Sequence, residues 1–286
     1  MARLPEPAAD AGAAVVAAAL GRRPSAAAAH YGRALSRVLG RSLSPHEERA
    51  WVRRAFAMYA RYWLEGARLA GTDPAVIEAR MAPPLGWECF ESAMGSGRGV
   101  ILALPHVGSW EWGGAWLAQR GYPMTSVAEP LEPLELYEWF VAQRQAMGLT
   151  IVALGPGAGS VLLRTLRDGG LVGLLCDRDV GSGGVEVEFF GERTTLPAGP
   201  ATLALRTGAV LMAAAVYSGP GRSHSAVIRP PIDTERRGSL RADVARVTQE
   251  VAAELEALIR RAPDQWHLFQ PNWPGDPGFG GAPGLP

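Results

Sequence analysis

Short apolar runs alternate with amphipathic stretches along most of this 286-residue chain, and that alternation limits the fold more than any other feature. Residues 99–104 read GVILAL and are stopped by Pro105-His106. An uninterrupted apolar run of that length marks a strand covered on both faces. The pattern recurs at 150–154, at 171–176 (LVGLLC) and at 210–217, with shorter strands expected at 125–128 and 225–229. Helices are expected over 109–119, 134–147, 160–167, 198–207 and 241–261, and 185–189 reads as a strand within a hairpin or loop. Strands alternating with helices predict an α/β fold: a central sheet, mostly parallel or mixed, with helices on both faces.

The first 80 residues read differently. A helix is expected over 26–39. A second starts at Ser44-Pro45-His46-Glu47, which offers an N-cap serine, a first-turn proline and a glutamate three residues on. Trp51, Ala55, Met58, Tyr59, Tyr62 and Leu69 then fall near one face, and Arg49, Arg53, Arg54, Arg61 and Arg68 fall largely elsewhere. The expected organisation is a basic helical extension over 1–80, an α/β core over 81–273 and a loose Gly/Pro-rich tail over 274–286. The net charge of zero divides into +5 over 1–80 and −5 over the remainder, with +7 concentrated in 20–68. Aromatic and Arg residues on amphipathic helices suit a membrane interface, but the pattern alone favours a helical pair packed on a larger domain. The longest apolar run near the start, 11–20, has ten residues, against about 20 for a spanning helix. Neither a span nor a signal peptide is expected, so any meeting with a membrane is peripheral.

Composition removes several chemistries. All 28 basic residues are Arg, and the chain contains no Lys. A Walker A loop and a Schiff-base enzyme both need that amine. Zero net charge argues against nucleic-acid binding. Cys89 and Cys176 are too few for a disulfide framework or a structural zinc site, and point to a reducing compartment. No His pair has metal-ligand spacing, no G-x-S-x-G elbow surrounds Ser109 or Ser160, and Cys176 lies within an apolar strand. No metal and no cofactor is expected.

Of the five histidines (His30, His46, His106, His224 and His267), His106 stands out, just past a buried strand and before a turn into a helix. Sites in α/β sheets gather at the carboxyl ends of strands. A His base needs a hydroxyl to deprotonate and a carboxylate to orient its ring. Glu111 lies five residues on, Glu129 follows the 125–128 strand, and Asp177-Arg178-Asp179 follows the 171–176 strand. These acids converge on one site or are surface acids in local ion pairs. Gly155-Pro156-Gly157-Ala158-Gly159 has the look of a phosphate-cradling turn, but Ser160 stands where the last glycine of a dinucleotide fingerprint would fall. An NAD-binding oxidoreductase is the weaker alternative, and a tight turn explains the loop better.

Together these blocks resemble the lipid A biosynthesis late acyltransferases and their actinobacterial relatives, the phosphatidylinositol mannoside acyltransferases. Leu104-Pro105-His106-Val107-Gly108-Ser109-Trp110-Glu111 is similar to that family's H-x4-D/E motif. Arg144-Gln145-Ala146-Met147-Gly148, Asp177-Arg178-Asp179 and the block from Thr195 to Ala201 follow in the family's order, and the block from Gln265 to Trp273 resembles the actinobacterial branch. The resemblance runs from about Tyr31 to Trp273. It implies transfer of a fatty acyl group, typically palmitoyl, from acyl-CoA as co-substrate to the 6-hydroxyl of the mannose at inositol position 2 of a mannosylated phosphatidylinositol. It implies work at the cytoplasmic face of the plasma membrane without a metal. His106 would be the base, with Glu129 favoured over Glu111 as the acid that orients it. Gly108 and Ser109 amides would hold the oxyanion, and Arg144, Asp177, Arg178 and Asp179 would bind substrate, Asp179 through sugar hydroxyls or by positioning Arg144. A related lysophospholipid or glycolipid acyltransferase and a catalytically silent membrane-binding protein are the other readings.

Overall fold

The computed structural model describes residues 25–129, 132–180 and 183–280, together with Gly12. Apart from Gly12, the apolar run at 11–20 lies outside the described residues, as do the last six residues of the tail.

The chain is an α/β protein built on a six-stranded sheet. Helices α1 (Ala26–Leu39), α2 (Pro45–Leu69), α3 (Pro74–Arg80) and α4 (Trp87–Gly95) precede the first strand. Then follow β1 (Val100–Leu104), α5 (Trp110–Gln119), β2 (Met124–Ala128), α6 (Leu134–Ala146), β3 (Thr150–Ala153), α7 (Ala158–Arg167) and β4 (Leu171–Leu175). A hairpin of β5 (Val185–Phe189) and β6 (Glu192–Leu196) leads to α8 (Gly199–Thr207), β7 (Val210–Ser218), β8 (His224–Ile228) and α9 (Leu240–Arg261). The sheet order is β3-β2-β4-β1-β7-β8, parallel except for β8, and β5 and β6 form a separate antiparallel pair.

Both faces of the sheet are covered, which is why its central strands read as unbroken apolar runs. Along β1, Ile101 and Ala103 join the core beneath α8 and α9, while Val100, Leu102 and Leu104 join the core beneath α5. Trp112 and Trp116 of α5 and Phe90 of α4 fill that second layer. Each fully buried side chain of this kind contributes roughly 1.5–3 kcal/mol by leaving water.

The extension is not free of the core. The capping box at Ser44 and Glu47 starts α2 as expected. Val52, Ala55, Leu64 and Leu69 of α2 are buried. The Tyr31 hydroxyl donates to the Pro263 carbonyl at 2.7 Å, and Phe269 packs between α1 and α2. The tail also begins tied down: Asp276 is 5% exposed, accepts the backbone N–H groups of Asn272 and Trp273, and pairs with Arg37 at 2.9 Å.

Candidate active site

The parallel register between β1 and β4 sets the site. Leu104 pairs with Leu175, and His106 and Asp177 each stand two residues beyond that pair. Their side chains meet: His106 Nδ1 lies 2.5 Å from Asp177 Oδ1. The backbone N–H of His106 donates to Asp177 Oδ2 at 3.0 Å, and the indole N–H of Trp266 donates to the same oxygen at 2.6 Å. Asn272 Nδ2 donates to the Asp177 carbonyl at 3.0 Å. Asp177 is fully buried, which by itself would raise its proton affinity. The charge of His106 and the bonds from His106 and Trp266 outweigh burial and hold the carboxyl below its ordinary value. A buried carboxylate on Nδ1 keeps the proton of a neutral imidazole on that nitrogen and leaves Nε2 with its lone pair.

Asp177, expected among the substrate-binding residues, is therefore the acid against His106, and neither glutamate is. Glu129 pairs with Arg178 at 3.1 Å, and Arg178 also bonds Gln270. Glu111 turns into the core from the first turn of α5, 5% exposed, where it accepts from the Tyr62 hydroxyl at 2.7 Å and from Arg144 at 2.9 Å. Burial and the adjacent Glu111 raise the Tyr62 hydroxyl well above the ordinary tyrosine value. Burial works against the Arg144 charge, but Glu111 and Tyr62 more than offset it. Arg144 is thus positioned by Glu111. Asp179 accepts the backbone N–H of Gly184 at 2.9 Å and shapes the loop after β4.

The amides expected to form an oxyanion hole have other partners. Gly108 N–H donates to the Gln265 carbonyl at 2.9 Å, and Ser109 N–H donates to the Val216 carbonyl at 3.1 Å. Gly108 is required for a packing reason. Its φ is +59°, and a Cβ there would stand 2.1 Å from the Val216 carbonyl oxygen.

His267, outside the expected set, completes the loop. Its backbone N–H donates to the His106 carbonyl at 2.8 Å, and its ring Nε2 lies 3.0 Å from the Gly108 carbonyl, which can only accept. Burial lowers this histidine to about 4, so it is neutral near pH 7. Tyr62, Trp266, His267 and Asn272 escaped the sequence reading as site residues. The last three lie in the 265–273 block that carried part of the resemblance, but nothing in their spacing tied them to His106.

Two cavities meet at His106. The larger, about 590 Å³, runs between α7 and α8 over apolar side chains that include Leu162, Leu174 and Leu203. Glycines 155 and 159 line it, so the glycine loop borders an apolar cavity. The smaller, about 170 Å³, is walled by Tyr59, Tyr62, Trp63, Phe140 and Phe269. Trp110, Arg144 and Arg178 line both. Cys176 is buried in the strand, and burial pushes its thiol well up. Among the described residues, no group of His, Cys, Asp or Glu has the makings of a metal site, and no helix is long and apolar enough to cross a membrane.

The chain belongs to the bacterial lipid A biosynthesis acyltransferases, whose family model matches residues 1–274. Within that family it is 38% identical over 250 residues to the phosphatidylinositol mannoside acyltransferase of Mycolicibacterium smegmatis, spanning 85% of this chain and 79% of that one. It is 37% identical over 226 residues to the phosphatidylinositol mannoside acyltransferase of Mycobacterium tuberculosis, spanning 76% and 68% of the two chains. A lipid A biosynthesis acyltransferase of Haemophilus influenzae is 28% identical over 185 residues, 64% of this chain and 56% of that one.

Proposed function

We propose that this acyltransferase transfers a long acyl chain, palmitoyl in the first instance, from acyl-CoA to the 6-hydroxyl of the mannose at inositol position 2 of a mannosylated phosphatidylinositol. The observation that carries this reading is the position of His106, held through Nδ1 by buried Asp177 and standing where an apolar cavity meets an aromatic one. His106 Nε2 takes the proton of the mannose hydroxyl. The oxygen attacks the thioester carbonyl, the new C–O bond forms and the C–S bond breaks. The imidazolium returns its proton to the departing CoA sulfur. A single base suffices because no covalent acyl-enzyme intervenes. The acyl chain lies in the larger cavity, and the sugar lies against the aromatic wall of the smaller one. Arg144 and Arg178 present guanidinium groups at the junction, suited to the phosphates of either substrate.

The reaction takes place at the cytoplasmic face of the plasma membrane, with the protein bound peripherally. The identity to two phosphatidylinositol mannoside acyltransferases supports this acceptor over a lysophospholipid or another glycolipid. Labelled palmitoyl-CoA offered with mannosylated phosphatidylinositol, lysophospholipid and other glycolipids tests it. Transfer concentrated on the mannosylated inositol lipid is expected, and no transfer to that lipid defeats the reading.

A further inference from the structure

Asp177 has two carboxylate oxygens and no contact with solvent. Oδ1 faces the His106 ring, and Oδ2 takes the His106 backbone N–H at 3.0 Å and, more closely, the indole N–H of Trp266 at 2.6 Å. Trp266 is 1% exposed and wedged among Phe189, Phe190 and Trp273. It comes from the far end of the chain and is stitched to the loop that carries His106. Val107 and Trp266 form an antiparallel bridge, flanked by the bonds from Gly108 to Gln265 and from His267 to His106. The indole thus has a fixed address relative to both members of the pair.

We propose that Trp266 is a positioning residue for acyl transfer: its indole N–H fixes the Asp177 carboxylate in the orientation that presents Oδ1 to His106. This rests on His106 acting as the base. Two consequences follow when the N–H is removed. Oδ2 then keeps only the longer bond from the His106 backbone N–H, so the carboxylate gains freedom to turn and the imidazole it steers loses its alignment with the acceptor hydroxyl. The buried negative charge also loses a donor that no water replaces, so the pair takes up a proton more readily. Trp266 lines neither cavity, so substrate binding has no direct dependence on it.

The test compares Trp266→Phe, replacement of Trp266 by its sulfur isostere benzothienylalanine, and Trp273→Phe. Trp273 is equally buried in the same aromatic group, but its indole N–H donates to the Phe189 carbonyl at 3.2 Å. Trp273→Phe therefore controls for lost packing. Both Trp266 variants are expected to lower kcat by about tenfold or more, as fits a bond to a buried charge, with KM for each substrate changed by less than about twofold. The acid limb of the pH–rate profile should move to higher pH, and the low-field Nδ1 proton resonance of His106 should shift. Trp273→Phe should leave that limb and that resonance in place. The isostere keeps the volume of the indole and decides the matter if Trp266→Phe does not fold. Wild-type kcat and acid limb in the isostere would overturn the proposal, as would a loss confined to KM or a match to Trp273→Phe. Failure of the base assignment shows separately, as near-normal transfer by His106→Ala.

Discussion

His106 and Asp177 meet from the ends of two neighbouring parallel strands. The histidine was legible because a break after an apolar run marks a strand end, and strand ends collect sites. Its partner was not. Glu111, Glu129 and Asp177 each follow a strand or open a helix, and the expectation fell on Glu129, then Glu111, with Asp177 assigned to substrate. Only the adjacency of β1 and β4 selects Asp177, and strand order leaves no local trace in composition. The buried histidines carry a pH prediction. Burial lowers His267 to about 4 and His224, also pressed by Arg61 and Arg80, to about 3. Unfolding returns both toward about 6.5. Between these values the unfolded chain binds more protons, so stability rises with pH across that window. Urea titrations should show stability lost as pH falls from about 6.5 toward 4, by as much as a few kcal/mol per histidine. His267→Phe should flatten the slope, and an unchanged slope would contradict its buried neutral state. Gly108→Ala should cost at least about 1–3 kcal/mol, because a side chain at positive φ meets the Val216 carbonyl. An unaltered thermal midpoint would contradict that.

At the scale of elements, the strands and long helices followed from periodicity, and the short pieces did not. The helices α3 and α4 are seven and nine residues long, too short for a repeating apolar face to stand out. The strand β6 reads ERTTL and carries no apolar run. The helix α2 takes the packed arrangement that its pattern favoured. Its aromatic stripe can be read as a membrane face, yet Tyr59, Tyr62 and Trp63 wall the smaller cavity. The Tyr62 hydroxyl reaches Glu111, tying α2 to the first turn of α5. Tyr62→Phe should leave a buried carboxylate with one donor fewer and cost about 1–3 kcal/mol in denaturant unfolding. Glu111→Ala should cost more, about 3–5 kcal/mol, because Arg144 then keeps a buried charge without its partner. Equal effects of the two variants would refute the ranking.

Over the whole molecule, the charge is divided by position. Arg49, Arg53 and Arg54 are exposed on α2, whereas Arg61 is held by Glu65 at 2.7 Å and by the Gly219 carbonyl. Among the described residues of α2 the exposed arginines therefore sit toward its start, Arg54 stacked over the Trp51 ring, and α2 itself borders the cavity proposed for the lipid headgroup. Each exposed basic residue near an anionic leaflet adds about 1 kcal/mol of attraction. Replacing Arg53 and Arg54 by Glu should weaken sedimentation with anionic vesicles, and salt should weaken the wild type in the same way. Binding indifferent to both would remove this surface from membrane docking.

In the proposed reaction the His106–Asp177 pair removes the proton of the acceptor hydroxyl. Its most direct test is the rate of palmitoyl transfer to mannosylated phosphatidylinositol by folded His106→Ala and Asp177→Asn proteins. A loss of about 10²–10⁴-fold is expected in each, the range of general-base catalysis with a correctly oriented imidazole. Near-wild-type transfer by either variant would contradict it.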